Sequence, residues 1–382
     1  MELSQNPIKK ISNGIDWLLV LFVVPITLAG LFTMKSFAPL EETGDFFTRQ
    51  AVWISLSFGV FFLFSFIDVR DLRRSEVLVP IFLGFCLLLA LLFVLGHVSH
   101  GARSWFNFGF FSFQPADFMK LFLVLVLAKY FSRRHVEIGD FKHIFISGLY
   151  AAIPMLLILL QPDFGSAMIL FFIWLGMVLV SGISKSHLLL VFGVGALVLG
   201  AMWMFVFEPY QKARIATFVN PLSDIHNTGY NAFQSTIAVG SGQVLGKGLG
   251  FGTQSRLKFL PEPQSDFIFA AFAEEWGFVG SITLLILYAL VIWRVLLNAS
   301  YGATNFEMLF GMGVAIFFMS HILINIGMNL GIMPVTGIPL PFMSYGGSHM
   351  LNEFAALGIL MSMRRYARSA HRDDMKHEFL GA

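Results

Sequence analysis

The chain has 382 residues, of which 57% are hydrophobic and only 13% are charged. Because soluble domains carry about a quarter charged residues, this composition excludes a soluble globular protein and predicts a protein integral to the membrane. The formal net charge of +2 is too balanced for a nucleic-acid-binding protein, and the single cysteine, Cys86, excludes a disulfide framework and a cysteine-based metal site.

The apolar residues form ten runs of about the length that crosses a membrane. Runs this long and uniform are typical of transmembrane helices rather than of the alternating strands of a barrel. We therefore predict an all-α polytopic membrane protein with a single domain over residues 1–382. The predicted spans are 16–35, 51–67, 77–96, 115–132, 144–161, 166–182, 187–207, 266–293, 306–328 and 349–363.

The basic residues concentrate in alternate connections between these spans. If the N-terminus is inside, 16 of the 25 Lys and Arg residues lie on the cytoplasmic side, as the positive-inside rule requires. Both termini are therefore predicted to be cytoplasmic. The first run has a basic flank but is longer than the apolar region of a signal peptide, so we expect an uncleaved first helix.

Three connections on the opposite side are unusual. Residues 97–114 are rich in glycine and aromatic rings, which suits a membrane interface. The connection of about 58 residues at 208–265, between the seventh and eighth spans, is much longer than most. Its aromatic and glycine content predicts an ordered extracytoplasmic loop. Residues 329–348 are rich in glycine and proline and are predicted to re-enter or cap the same face.

Ionisable side chains at membrane depth are costly to bury and are therefore candidates for function. Asp117 and Lys120 are three residues apart, so they share one helix face and can pair. Two interpretations stay open, a structural ion pair and a grip on an anionic substrate. Arg103 supplies a second cation just upstream. Two cations beside an aromatic loop suit a pyrophosphate.

Two aspartates lie at the borders of predicted spans. Asp163 lies at a turn between two spans, where a helix N-cap explains it without a further function. Asp266 ends the long loop and opens the eighth span. It is either an N-cap, a role that Ser265 could equally fill, or a carboxylate at the water–lipid boundary with a pKa suited to a general base. Spacing alone does not separate these two interpretations.

Other polar residues lie within the last spans. Glu274 and Glu275 are expected to form salt bridges within the bundle or to approach its cytoplasmic half. His321, Asn325 and Asn329 recur at every fourth position, and this pattern predicts interhelical hydrogen bonds rather than a relay. The sequence contains no Walker, HExxH, CxxC or GxSxG motif, so chemistry with a soluble cofactor is not predicted.

Four longer motifs, in order along nearly the whole chain, resemble the SEDS family of cell-wall polymerases. They are FQPADFMK (113–120), QPDFGS (161–166), GKGLGFGTQSRLKFLPEPQSDFIFAAFAEEWG (246–277) and GIPLPFMSYGGS (337–348). The residues at 252–255 resemble the elongation branch, RodA, more than the division branch, FtsW. The family usually has Gln-Pro-Ser-Glu where this chain has Gln-Pro-Ala-Asp at 114–117, so the side chain of Asp117 is one methylene shorter than the family's glutamate.

The resemblance implies a peptidoglycan glycosyltransferase that polymerises lipid II, an undecaprenyl-pyrophosphate-linked disaccharide pentapeptide, during cell elongation. It implies an active site on the outer face of the bacterial cytoplasmic membrane and a class B penicillin-binding protein as the cross-linking partner. The family's essential aspartate falls on Asp266 and its conserved lysine on Lys120. Candidates for substrate binding are Arg103, Lys120, Asp117, Gln114 and Ser344. No cofactor is certain, and a divalent cation, Mg²⁺ or Mn²⁺, is a candidate.

In the implied reaction, the 4-hydroxyl of the acceptor sugar attacks the anomeric carbon of a lipid-linked sugar. A pyrophosphate leaves without a protonating acid, so one general base suffices, and we expect Asp266 to be that base and the linkage to be inverted. A lipid II flippase would instead need polar groups across the bilayer. A non-catalytic scaffold would need no indispensable charge. The long ordered loop and the single interfacial carboxylate favour an enzyme.

Overall fold

The structure, a computed structural model, describes residues 14–36, 46–99, 102–109, 112–133, 141–182, 185–205, 209–219 and 229–380. It is predominantly helical, and a helix coincides with each of the ten predicted spans. These helices are α1 (Trp17–Lys35), α2 (Phe46–Phe66), α3 (Ser75–Leu95), α4 (Pro115–Ser132), α5 (Phe141–Leu159), α6 (Phe164–Val180), α7 (Lys185–Phe205), α11 (Ile268–Ser300), α12 (Asn305–Asn329) and α13 (Gly347–Leu380).

Six of these helices, within the described ranges, are long and apolar enough to cross a membrane: α1, α2, α3, α5, α11 and α12. The helix α6 is shorter, with 17 residues. The helix α4 is less apolar because it carries Asp117, Lys120 and Lys129. The apolar helices identify a multi-pass membrane protein, as the composition predicts.

The centre of the bundle is formed by α4 and α12. In α12, 78% of the apolar 18-residue stretch is buried inside the protein, and most residues of α4 are buried as well. These two helices pack against each other and against α6, and α11 and α13 also contact α12. This position explains how α4 can carry charged residues, because protein rather than lipid surrounds them.

A small antiparallel sheet follows α3, and the all-α prediction did not include it. Its strands are β1 (His97–Ser99), β2 (Ala102–Asn107) and β3 (Ser112–Phe113), in the order β1-β2-β3. Phe106 pairs with Phe113, and Asn107 pairs with Ser112. Aromatic side chains favour extended backbone, and the pairing satisfies main-chain groups that no helix uses here.

The long connection before α11 is ordered over its described residues, as predicted. It contains α8 (Pro209–Val219), α9 (Tyr230–Ser241) and the single-turn helix α10 (Thr253–Arg256). Residues 206–208 and 220–228 of this connection lie outside the described residues. The helix α9 packs against α11 and α12. The sheet, this connection and residues 330–346 lie at one end of the bundle, which we call the loop end.

Candidate active site

Asp266 lies at the loop end, just before the first residue of α11. The N-cap position of α11 is Phe267, whose own side chain makes no capping hydrogen bond. The amide of Ala270 in the first turn instead donates to Asn329 Oδ1 at 3.1 Å. The interpretation of Asp266 or Ser265 as the helix cap is therefore wrong. Asp266 is half-buried. It lies beside Gly337, where an added Cβ would be 3.4 Å from Asp266 Oδ2.

The main chain at Asp266 is fixed by side chains of α12. Asn325 Nδ2 and Asn329 Nδ2 both donate to the Asp266 carbonyl oxygen, at 3.0 and 3.1 Å. Asn325 Nδ2 also donates to Ile338 O at 2.7 Å. His321 Nδ1 lies 3.1 Å from the next carbonyl oxygen of that segment. The polar stripe on α12 therefore makes hydrogen bonds between segments, as predicted, and joins the candidate base to residues 338–339.

A second set of hydrogen bonds holds the two residues before the candidate base. Ser344 Oγ donates to Ser265 O at 2.6 Å and accepts from Leu340 N at 2.7 Å. Tyr345 N donates to Gln264 O at 2.8 Å. Three consecutive carbonyl groups that end at the candidate base are thus bound by other segments, which makes this main chain rigid. Ser344 is buried, so in this structure its hydroxyl holds the loop.

Gln114 and Asp163 meet at the same end of the bundle. Gln114 Nε2 donates to Asp163 Oδ2 at 3.2 Å, and Asp163 Oδ1 accepts from Ser166 N at 3.0 Å. Asp163 therefore caps α6, as predicted, and also holds Gln114. Gly165 packs against Thr336, since an added Cβ would lie 2.7 Å from the Thr336 carbonyl oxygen. The start of α6 thus lies against the segment that the candidate base faces.

The predicted pair on α4 is formed, and it is sealed inside the bundle. Lys120 Nζ lies 2.8 Å from Asp117 Oδ1, and both residues are 2% exposed. Asn352 Nδ2 donates to the Asp117 carbonyl oxygen at 2.9 Å. Arg103 is exposed on β2, and its Nη1 donates to Phe93 O at 3.2 Å. The two candidate cations therefore differ in this structure, one lying at the surface and the other paired in the interior.

His349 belongs to this site, although the sequence interpretation did not include it. Its Nδ1 lies 3.9 Å from Asp117 Oδ1, and its Nε2 lies 2.7 Å from Glu353 Oε1. Glu353 Oε2 accepts a hydrogen bond from Phe342 N at 2.8 Å. The His349 ring lies 4.9 Å from the His321 ring. The spacing of four residues on α13 predicts contact between His349 and Glu353, but spacing cannot predict their position beside Asp117.

Glu274, on α11, anchors the glycine-rich part of the long connection. It is fully buried, and its carboxylate accepts from Lys247 Nζ at 2.7 Å, Thr253 Oγ1 at 3.1 Å and Gln254 N at 3.0 Å. The expected salt bridge is therefore made to a loop. Gly277 interrupts the helical geometry with φ of 66°, a conformation that glycine adopts without steric cost. The main-chain N–H groups of the next two residues donate to carbonyl oxygens of the loop, so the regular hydrogen bonds of the helix are interrupted here.

Metal ligands do not assemble among the residues that the structure describes. No group of three or more His, Cys, Asp or Glu side chains there is placed to hold a metal ion. Because Mg²⁺ and Mn²⁺ need several oxygen ligands around one point, this part of the chain does not present a preassembled cation site built from such side chains.

An apolar cavity of about 150 Å³ lies at the loop end, between α8, α9 and the segment that follows α12. Its lining consists mainly of apolar side chains and two threonines. The lining residues are Thr217, Phe218, Ala232, Phe233, Thr236, Leu330, Gly331, Met333, Pro334 and Val335. Its lining ends at Val335, two residues before Gly337, which lies beside the candidate base.

Comparisons with known sequences point to one family. A family model described as cell cycle protein, FtsW/RodA/SpoVE, matches residues 15–369. Stage V sporulation protein E of Bacillus subtilis is 34% identical over 366 residues, which cover 92% of this chain and 98% of that protein. Peptidoglycan glycosyltransferase MrdB of Escherichia coli is 38% identical over 273 residues, which cover 72% of this chain and 74% of that protein.

Two solved structures have the same fold. One belongs to a structure described as structural coordination of polymerization and crosslinking by a peptidoglycan synthase complex. It matches with a TM-score of 0.78 and 32% identity, over 92% of this chain and 98% of that one. The other is the rod shape determining protein RodA of Thermus thermophilus. It matches with a TM-score of 0.68 and 32% identity, over 92% of this chain and 97% of that one.

Proposed function

The chain belongs to the FtsW/RodA/SpoVE family, and we propose that it is a peptidoglycan glycosyltransferase that polymerises lipid II with Asp266 as general base. Relatives that carry the name peptidoglycan glycosyltransferase support the activity. One structural observation carries the assignment of the base. Asp266 is half-buried at the loop end, on a main chain held at three consecutive carbonyl groups.

In the proposed reaction, Asp266 accepts the proton of the acceptor sugar's 4-hydroxyl as that oxygen attacks the anomeric carbon of the donor. The bond from this carbon to the pyrophosphate breaks on the opposite face, so the configuration is inverted. A base with a fixed main chain loses little orientation in the transition state. Partial burial reduces competition from water for the carboxylate. Asn325, Asn329 and Ser344 act as positioning residues because each binds the main chain and not the reacting atoms.

The departing pyrophosphate needs positive charge. Arg103 is exposed on β2, and its guanidinium, which donates to Phe93 O in this structure, can turn toward an anionic group at the surface. Lys120 is the second cation of the proposal, with Asp117 as its resting counter-ion. Gln114, the N-cap residue of α4, donates to Asp163 and offers its amide to a sugar or phosphate oxygen. Charge-assisted hydrogen bonds of this kind stabilise the transition state more than neutral ones.

The lipid part of the substrate needs an apolar surface beside the site. The cavity between α8 and α9, together with the aromatic strands β2 and β3, offers such a surface at the loop end. We place the loop end on the outer face of the bacterial cytoplasmic membrane, with both termini in the cytoplasm, because the basic residues concentrate at the other end. The steps above use the chain's own residues, and a contribution of Mg²⁺ or Mn²⁺ stays a separate prediction.

A partner and a cellular role complete the proposal. One similar structure comes from a complex that coordinates polymerization and crosslinking, which supports a class B penicillin-binding protein as the partner of this chain. Similarity to MrdB and to a rod shape determining protein supports a role in cell elongation.

The experiment is reconstitution of the purified chain with a class B penicillin-binding protein in liposomes that contain labelled lipid II. We expect glycan strands on a gel. Translocation of lipid II across the bilayer without any polymer would instead show a flippase. The buried charges on α4 and α13 would then be part of its path. If neither polymer nor translocation is observed, the result indicates a non-catalytic scaffold.

A further inference from the structure

Four ionisable side chains form a buried charge cluster between α4 and α13: Asp117, Lys120, His349 and Glu353. Each is at least nine-tenths buried. Lys120 and Asp117 form one close pair, at 2.8 Å, and His349 and Glu353 form another, at 2.7 Å. The two pairs approach each other where His349 Nδ1 lies 3.9 Å from Asp117 Oδ1. The proposed mechanism uses only the first pair.

The composition of the cluster shows what His349 contributes. It contains two carboxyl groups and one ammonium group, and His349 is the only other member of the cluster that can carry a positive charge. The His321 ring on α12 lies tilted against the His349 ring, with the ring centroids 4.9 Å apart, and the Tyr288 hydroxyl donates to Pro341 O. Among the described residues, neither side chain makes a hydrogen bond or an ion pair with the Asp117 carboxylate, since His321 Nδ1 lies 3.1 Å from Pro339 O.

Because Lys120 is sealed in the interior beside Asp117, its ammonium group must turn away from this position to reach a diphosphate at the loop end. A buried carboxylate that loses its partner is strongly destabilised, so this departure requires a replacement donor. Asn352 binds the main-chain carbonyl of Asp117 and not its carboxylate. His349 Nδ1 faces the same oxygen that Lys120 binds, just beyond hydrogen-bond distance, and has no hydrogen-bond partner within the described part of the chain.

We propose that His349 is a positioning residue that takes over the Asp117 carboxylate when Lys120 turns to the diphosphate of the lipid-linked substrate. Glu353 lies 2.7 Å from the histidine ring and holds it at this position, while its second oxygen fixes the main chain at Phe342. The inference rests on the proposed function, because it assumes that Lys120 binds substrate. It adds the residue that allows Lys120 to do so.

The test measures the dissociation constant of fluorescent lipid II for the full chain in nanodiscs. The variant His349→Gln keeps the size and hydrogen-bonding ability of the ring but removes its charge. We expect it to weaken binding about tenfold, since the exchange then leaves a carboxylate without a cation. The matched control is His143→Gln. His143 is equally buried, and its Nδ1 lies 2.9 Å from the Tyr130 hydroxyl, away from the cluster. The variant His143→Gln is expected to bind lipid II with the same dissociation constant as the wild type.

A second variant separates the exchange from a merely structural role. In Asp117→Asn there is no carboxylate to leave behind, so His349→Gln added to it should cause no further loss of affinity. Equal binding by Asp117→Asn and by the double variant supports the proposal. A tenfold loss in both backgrounds overturns it, as does wild-type affinity of His349→Gln. If His349→Gln does not fold, the comparison of Asp117→Asn with the double variant decides alone.

The failure of this inference differs from failure of the proposed function. If Lys120→Met binds lipid II as tightly as the wild type, the inference fails at its premise, whatever His349 does. If His349→Gln binds normally while the wild type still forms glycan strands, the exchange is wrong and the polymerase stands. If the wild type forms no strands with its partner, the proposed function fails independently of these affinities.

Discussion

Lys247 Nζ donates to the buried carboxylate of Glu274 at 2.7 Å. This contact joins α11, the helix that follows Asp266, to the glycine-rich loop between α9 and α10. The same carboxylate binds the first turn of α10 through the amide of Gln254. One side chain therefore sets the position of the loop relative to the helix that carries the candidate base at its start.

Replacement of Glu274 by alanine is expected to destabilise the protein. It leaves the Lys247 ammonium and the amides of α10 without their acceptor, at a cost of about 2–3 kcal/mol. This is near the lower end for broken buried pairs because Lys247 is partly exposed. Thermal unfolding in detergent measures the change. Glu76→Ala, at an exposed position, is the control and is expected to change stability by less than about 0.5 kcal/mol. Equal midpoints for the two variants would refute the anchoring role.

The substitution Asn329→Asp tests the rigidity of the main chain at Asp266. Asp keeps the oxygen that accepts from Ala270 N but loses the donor to the Asp266 carbonyl oxygen. We expect the rate of lipid II polymerisation to fall about tenfold to a hundredfold, because small displacements of a catalytic group are costly. The control is Asn107→Asp on β2, which keeps its role as acceptor from Gly109 N. Wild-type rates for both variants would show that this hydrogen bond does not position the base.

Gly337→Ala tests the closeness of the candidate base to the segment after α12. Gly337 has φ of +72°, and an added Cβ would lie 3.4 Å from Asp266 Oδ2. The left-handed backbone costs alanine about 1–2 kcal/mol, and the methyl group would lie in van der Waals contact with the carboxylate. Gly109→Ala is a matched control, since Gly109 has φ of +83° and nothing within 4 Å of an added Cβ. We expect polymerisation to fall only in Gly337→Ala. A similar loss in both variants would indicate backbone strain alone.

The opposite end of the bundle provides a prediction for pH. Asp16 Oδ2 accepts from Arg294 Nη2 at 2.6 Å and Asn298 Nδ2 at 2.7 Å, and it lies 3.3 Å from Arg364 Nη1. Burial alone would raise the pKa of the Asp16 carboxyl. Hydrogen bonds from Asn298 and Arg294, with the charges of Arg294 and Arg364, outweigh burial and hold this pKa below its ordinary value.

The folded protein binds the proton of the Asp16 carboxyl less tightly than the unfolded chain does. The ionised carboxylate therefore stabilises the fold fully at pH values above the ordinary pKa of about 3.9. This stabilisation is lost as the pH falls through the lowered pKa of the folded protein. We expect Asp16→Asn to lower the unfolding midpoint at pH 7, and the difference from wild type to shrink as the pH falls below about 4. The exposed Asp71 supplies the control Asp71→Asn. A difference that is constant with pH would contradict the assignment.

Local spacing predicts the helices and the contacts within them. The apolar runs coincide with ten helices, the spacing of Asp117 and Lys120 predicts their pair, and the turn at Asp163 predicts its cap. These features depend on residues that are close together in the sequence, so a single sequence is enough to predict them. The sheet after α3 was not predicted, because its strands are short and lie next to strongly apolar helices.

Contacts between distant segments could not be predicted in this way. Glu274 lies 27 positions from Lys247, and Gln114 lies 234 positions from Ser348. Only packing of the helices brings these residues together. His349 was missed for the same reason, since its partner Asp117 lies on another helix. The capping interpretation of Asp266 was wrong because the helix begins one residue later than a cap at Asp266 requires.

The central claim is that Asp266 accepts the proton in lipid II polymerisation. The most direct measurement is the initial rate of glycan strand formation by Asp266→Asn, reconstituted with the partner and compared with wild type. Asn keeps the shape but not the basicity, so we predict a rate at least about a hundredfold lower, with an unchanged unfolding midpoint. The variant Asp68→Asn, at a partly exposed position before α3 and far along the chain from the loop end, should polymerise at the wild-type rate. A wild-type rate for folded Asp266→Asn would contradict the account.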